Sequence, residues 1–325
     1  MKTILVSGAS GLVGYGILRS LRRASKSMRL VGTSIYTDSV APGFCDIFEL
    51  APPTNDPTYM EWLLSTIRKH NVDLIVPGIE IDMYKWVEHI PEIESNGAIA
   101  LLNDRALVEL CKDKWMFYQN LCEAGMTCAI ESALDTEFNA LKDRFGLPFL
   151  LKPRRGFGSK GIVKVDIEDT FIRYQQDIGP ILMAQPIVGN DDEEFTTSAF
   201  CDGRGGFYAC MTLRRKLSRE GFTDKAEVVA TDEFIKTISE LCERFRPIGP
   251  TNFQFRKCRD GIKLLEINPR VSSSTSIRAA FGYNESAMAV EYFLEHRTPV
   301  QPEIKRGRAV RYTDEHIFYE DSIHL

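Results

Sequence analysis

Histidine is scarce in this chain, with five scattered among 325 residues, and no Cys-x-x-Cys pair occurs among the cysteines at 45, 111, 122, 128, 201, 210, 242 and 258. Without a His-Glu-x-x-His helix or a histidine at ligand spacing from a cysteine, zinc hydrolase chemistry is set aside, and the cysteines read as free thiols of a reduced compartment. No uninterrupted apolar run approaches the ~18 residues that cross a bilayer, so no membrane-spanning protein is expected. The opening MKTILVSGASGLVG breaks its short apolar run with Gly and Ser where a secretory signal needs a longer one, and a cytoplasmic location is the expectation. Excess positive charge is also missing: 40 basic side chains face 45 acidic ones, a net charge of −5, so no global field draws the chain to phosphate backbones. Nucleic acid is therefore not an expected partner. There is no Walker A sequence, and none of the eleven tyrosines is followed four residues later by Lys, which removes the Tyr-x-x-x-Lys pair of short-chain reductases and epimerases.

What is present reads as two globular regions, since 325 residues are ample for about two cores. Short β-rich runs at 3–7, 29–33 and 72–76 alternate with helical spacing at 12–24 and 58–70, the pattern of a parallel, doubly wound α/β sheet over 1–104. From 105 to 325 the pattern changes to α+β. A helical stretch at 104–124 precedes strands at 148–152, 162–165, 181–188, 193–201, 206–213, 250–257 and 262–267, expected to be mostly antiparallel, with helices near 231–245 and 284–296.

Four stretches could carry chemistry. Gly8-Ala9-Ser10-Gly11-Leu12-Val13-Gly14 is a glycine-rich strand-to-helix turn, which either cradles a pyrophosphate or simply packs tightly. LKPRRGFGSKG at 151–161 places Lys152 at the end of an apolar strand and spaces Gly156, Gly158 and Gly161 around Ser159 and Lys160, so that free amides can wrap phosphate oxygens; the alternative is a solvated basic hairpin. In TNFQFRKCRDGIKLLEINPR at 251–270, a three-residue hairpin loop at Arg259-Asp260-Gly261 puts Gln254 opposite Glu266 and Asn252 opposite Asn268. All four then share one face, and a carboxylate among amide oxygens suits magnesium completed by nucleotide phosphates and water. Arg270 stands just beyond, placed to neutralise a transferring phosphoryl group. The alternative is a polar solvent-facing strand pair. Finally, ILMAQPIVGNDDEEFTTSAF at 181–200 offers a strand edge to an adenine and Glu194 to a ribose, or is an acidic hairpin.

In this order the motifs resemble the ATP-grasp superfamily, most closely the synthetase halves of the carbamoyl phosphate synthetase large chain, taken as a single stand-alone half. The resemblance implies a Rossmann-like pre-ATP-grasp domain at 1–104 and an ATP-grasp domain at 105–325, with a lid subdomain roughly over 117–186. Asp113-Lys114 is similar to the motif of the family's first nucleotide lysine, Lys152 corresponds to the second, and 156–161 to the loop over the phosphates. Gln185 stands where the family usually has a hinge Glu, and the turn from Gly189 to Glu194 is longer than the family's. Gln254, Glu266 and Asn268 match the metal set, followed by Pro269 and Arg270.

The same resemblance implies an ATP- and Mg2+-dependent (or Mn2+-dependent) ligase. It would activate a small carboxylate as an acyl phosphate and pass the acyl group to an amine or thiol, with ADP and phosphate as products. Catalysis would rest on Arg270 and Lys152. Glu80 is a candidate for an ammonium, and Arg214, Arg215, Lys216 and Arg278 for a carboxylate or phosphate of the acceptor. Small-molecule substrates are the expected partners, with a homodimer left open. Two other classes remain: a nicotinamide-dependent oxidoreductase resting on the first glycine turn, and a catalytically silent nucleotide-binding protein.

Overall fold

The computed structural model of the protein describes residues 1–25, 27–156 and 160–319. Five parallel strands come first: β1 (Thr3–Val6), β2 (Arg29–Ser34), β3 (Ile47–Leu50), β4 (Leu74–Val76) and β5 (Ile99–Ala100), ordered β3-β2-β1-β4-β5. The TILV run of β1 is buried throughout because it is central: Ile4 and Val6 enter one apolar cluster and Leu5 another, on opposite faces. The chain winds from β1 to β2 and β3 on one side, then returns to β4 and β5 on the other. A crevice therefore opens beyond the carboxyl ends of β1 and β4, where the Ser7–Gly14 turn meets the Pro77–Glu80 segment.

Two antiparallel sheets follow. β6 (Phe149–Pro153), β7 (Val163–Val165) and β8 (Leu182–Pro186) form a small sheet ordered β7-β6-β8, whose core joins Phe138, Phe149 and Phe171. β9 (Glu194–Asp202), β10 (Phe207–Leu217), β11 (Thr223–Val229), β12 (Ile248–Cys258), β13 (Gly261–Asn268) and β14 (Arg308–Val310) form a larger one, ordered β13-β12-β9-β10-β11-β14. The α/β region followed by α+β expected from the sequence is the architecture observed. Among the described residues no helix is long and apolar enough to cross a membrane.

Strand alternation sorts the larger sheet into an apolar and a polar face. Phe253 and Phe255 of β12 and Leu264 and Ile267 of β13 pack under the helix Asp232–Phe245 through Phe234, Ile238 and Leu241, each such side chain contributing about 1.5–3 kcal/mol by burial. The intervening Asn252, Gln254 and Arg256 take the opposite face. The hairpin differs from expectation at its tip. Its loop is two residues, Arg259-Asp260, because Cys258 pairs with Gly261, whose φ of 116° only glycine adopts easily. A β-bulge at Leu265 then absorbs one residue and restores the pairs Gln254 with Glu266 and Asn252 with Asn268. The expected 104–124 helix is two helices, Arg105–Lys112 and Lys114–Glu123, divided at Asp113.

Candidate active site

Asp113 breaks the helical stretch because its carboxylate caps the second helix, accepting from the backbone N–H of Trp115 (3.0 Å) and Met116 (3.3 Å). Arg154 clamps the same carboxylate at 2.8 and 3.2 Å. Burial alone would raise the Asp113 carboxyl; the Arg154 guanidinium and the helix amides outweigh it and hold it below the usual range. Lys114 is thereby fixed at the first helical position, and its Nζ donates to the Gly156 carbonyl at 2.8 Å, at the edge of the glycine-rich segment. Lys152 projects from β6, next to Gln185 of β8, and donates to its Oε1 at 3.1 Å; Gln185 Nε2 in turn donates to Ser132 Oγ at 2.9 Å.

These groups face the polar side of the larger sheet across a cleft of about 180 Å³. Glu266 of β13 accepts from Asn268 Nδ2 at 3.0 Å, and among the described residues its second carboxylate oxygen accepts no hydrogen bond. Burial would raise its carboxyl, but Lys114, Asn268, Lys152 and Arg215 together hold it below the ordinary value, so it is an anion at neutral pH. The Lys152 amine is drawn down to about 8, chiefly by burial, with Glu266 opposing that shift. Gln254 Oε1 accepts from Arg215 at 2.5 Å, and Arg215 also binds Glu194 at 2.9 and 3.2 Å. Arg256 grips Glu194 from its other side at 3.0 and 3.2 Å, so the carboxylate at the head of β9 lies between two guanidinium groups.

Arg270 and Glu80, 190 residues apart in sequence, form an ion pair that joins the parallel sheet to the end of β13. Arg270 also donates to Asn268 Oδ1 at 3.1 Å. Lys160 lines the cleft, and Gly161 has a φ of 75°. Gly158 and Ser159 lie outside the described residues.

Three candidates for acceptor recognition do not face the cleft. Alternation on β10 turns Arg215 inward but Arg214 and Lys216 outward, where they pair with Glu227 (2.5 Å) and Asp192 (2.7 Å). Arg278 is fully buried and committed to protein partners: Ser272 (2.6 Å), Asn252 (2.9 Å), Thr196 (3.0 Å) and the equally buried Glu285 (3.4 Å). It is a structural cation. Asn252 shares the face of Gln254 and Glu266, but its oxygen is held by Arg278 and by Thr196 at 2.6 Å and is committed to that buried network.

The first glycine turn is explained by packing. A Cβ at Gly14 would collide with the Gly8 carbonyl, and one at Gly78 with the Ser7 carbonyl, while Gly8 has a φ of 56°. Sequence reasoning overlooked Arg256, which the Asn252, Gln254, Arg256 alternation could have supplied, and Arg154 and Ser132, whose partners lie too far along the chain to be read from local pattern.

Comparison with known proteins bears on the fold that carries these residues. Residues 182–316 match the family model described as ATP-grasp in the biosynthetic pathway with Ter operon. The carbamoyl phosphate synthase large chain of Thermotoga neapolitana is 22% identical over 207 residues, 59% of this chain and 19% of that protein, so the chain spans about a fifth of the length of this curated relative. N5-carboxyaminoimidazole synthetase from Staphylococcus aureus superposes with a TM-score of 0.72 at 17% identity, covering 93% of this chain and 80% of its own. Biotin carboxylase from Campylobacter jejuni gives 0.73 at 15%, covering 94% and 74%. The biotin carboxylase domain of the Hydrogenobacter thermophilus 2-oxoglutarate carboxylase, solved with MgADP and bicarbonate, gives 0.71 at 14%, covering 94% and 73%. The chain has the ATP-grasp fold.

Proposed function

We propose that this ATP-grasp chain is an ATP- and magnesium-dependent ligase that activates a small carboxylate as an acyl phosphate and joins it to an amine, releasing ADP and phosphate. The observation that carries the reading is the convergence of Lys114, Lys152 and an ionised Glu266 on one cleft, with Arg270 linked to Glu266 through Asn268. Further support comes from the similar carboxylase domain solved with MgADP.

Among the described residues no cluster of three His, Cys, Asp or Glu could hold an ion alone. One carboxylate with a free oxygen, beside the amide oxygens of Asn268 and Gln254, fits magnesium that takes its remaining ligands from nucleotide phosphates and water. Glu266, Asn268 and Gln254 would hold it, and it would supply neutralisation of phosphate charge.

The chain's own groups do the rest. Lys114 and Lys152 replace their present contacts, the Gly156 carbonyl and the Gln185 amide oxygen, with phosphate oxygens, which are stronger acceptors. Arg270 exchanges its hold on Glu80 for charge developing on the transferring phosphoryl group, and an ammonium arriving at Glu80 favours that exchange. Among the described residues no Ser-His or Cys-His pair lines the cleft, and burial, then Glu266, pushes the Cys111 thiol well up, so these residues offer no activated Ser or Cys nucleophile. The test is ADP release measured over amino acids, dipeptides and other small acids: stimulation by a defined acid supports the reading, and ATP turnover indifferent to every acid rejects it.

A further inference from the structure

A second and larger cleft, about 1190 Å³, lies between the helix Leu12–Ala24, the β11 edge and the C-terminal segment, and none of the residues lining it lines the Lys114–Glu266 cleft. The turn between β10 and β11 is the wall between the two: Gly221 faces the first cleft and the adjacent Phe222 the second. The lining of the larger cleft includes five arginines, at 19, 22, 23, 308 and 311, against two carboxylates, Asp224 and Asp314, in a chain whose net charge is −5.

Among the described residues most of that positive charge has no ionic partner. Arg22 pairs with Asp46, but among the described residues Arg19, Arg23 and Arg308 make no ion pair. Among the described residues the Arg311 side chain is anchored to backbone, donating to the carbonyls of Thr223 (2.7 Å) and Ser273 (2.5 Å). Burial lowers the Arg311 guanidinium and Arg19 adds to that shift, while Tyr15 and Asp224 oppose it, so a further anion beside these cations is favoured. Tyr15 stacks on Phe44 at 5.2 Å along the same lining, which gives a planar or sugar ring an apolar surface.

We propose that this cleft binds a phosphate ester of a small molecule, a ligand separate from any nucleotide held at Lys114 and Lys152. Guanidinium forks match phosphate oxygens in geometry, and a concave cationic wall concentrates anions locally although the molecule as a whole repels them. Such binding is independent of the ligase reading, because it needs no turnover.

The test is calorimetric titration of the full chain with inorganic pyrophosphate at low salt, in wild type, Lys152→Met, Arg19→Ser/Arg308→Ser and Arg19→Lys/Arg308→Lys. Arg19 and Arg308 are exposed, so their replacement leaves the fold intact, which circular dichroism checks. The expected result is a binding event that survives Lys152→Met, weakens at least ~10-fold in the serine pair, is largely restored in the lysine pair, and fades with added salt. Absence of binding, loss of all binding in Lys152→Met, or binding unchanged in the serine pair would each overturn the proposal.

Discussion

Raising the pH should loosen the grip of this protein on ATP, and Lys152 sets the size of the effect. Burial draws its amine down to about 8, with Lys114 and Arg256 adding to the shift and Glu266 opposing it. If phosphate is bound by the ammonium form, affinity follows the protonated fraction, which falls about 25-fold between about pH 7.5 and about pH 9.5, equivalent to about 2 kcal/mol. Cys111 does not blur this window, since its thiol is pushed well above it. The stability of the free protein responds with the opposite sign. A lysine whose amine is lower in the folded chain than its ordinary 10.5 opposes folding while charged, and that penalty is removed as pH rises from about 8 toward 10.5. Fluorescence titration with an ATP analogue and magnesium across this range, together with urea unfolding of the free protein, reads both. Lys152→Met should bind more weakly and show a flat profile, and Lys152→Arg should also be flat because its charge persists. A wild-type Kd that does not change with pH, or a Lys152→Met variant with the same slope, would refute the reasoning.

Other perturbations have equally definite outcomes. Glu266→Gln should lower acid-stimulated ADP release by at least ~100-fold and abolish the dependence of nucleotide binding on magnesium, while magnesium alone binds negligibly to wild type, as calorimetry can show. Arg278→Met leaves Glu285 buried without its cation and should cost about 3–5 kcal/mol in urea unfolding, whereas Arg214→Ala, which breaks only an exposed pair with Glu227, should cost at most about 1 kcal/mol and leave turnover unchanged. Gly14→Ala should destabilise the fold through its collision with the Gly8 carbonyl, and Gly11→Ala, whose Cβ would stand 3.3 Å from the same oxygen, should do so more mildly; neither should weaken ATP binding in the protein that remains folded, as thermal melts with and without nucleotide would show.

The sequence revealed what local pattern encodes. The run TILV and the alternation around Phe253 and Phe255 mark a central strand and a two-faced strand because burial imposes their periods. β3, β5 and β14 escaped notice, being edge strands of two to four residues without room for a period to appear, and so did the interior strand β11, whose TDKAEVV run carries three charged residues and buries only Thr223 and Ala226. The register at Gln254 and Glu266 was legible although the loop was read one residue too long, since the bulge at Leu265 compensates for the shorter turn. Arg278 carries no such mark: it sits in a run of small residues, and its partners Glu285, Thr196 and Asn252 come from three other segments. The pairing of Glu80 with Arg270 is likewise a product of how the sheets meet, which no short window contains. For Arg214 and Arg215 the alternation of β10 held the answer once the strand was known to continue to Leu217.

The most direct test of the proposed ligase chemistry is product analysis by phosphorus NMR, with a stimulating acid, ATP, magnesium and hydroxylamine in place of the natural amine. The cleft has cations for a γ-phosphate and, among the described residues, no Ser-His or Cys-His pair, so the activated species should be an acyl phosphate on the substrate. The expected products are ADP and phosphate in equal amounts, with one hydroxamate formed per ADP. AMP and pyrophosphate, or ADP with no hydroxamate from any stimulating acid, would contradict acyl phosphate formation.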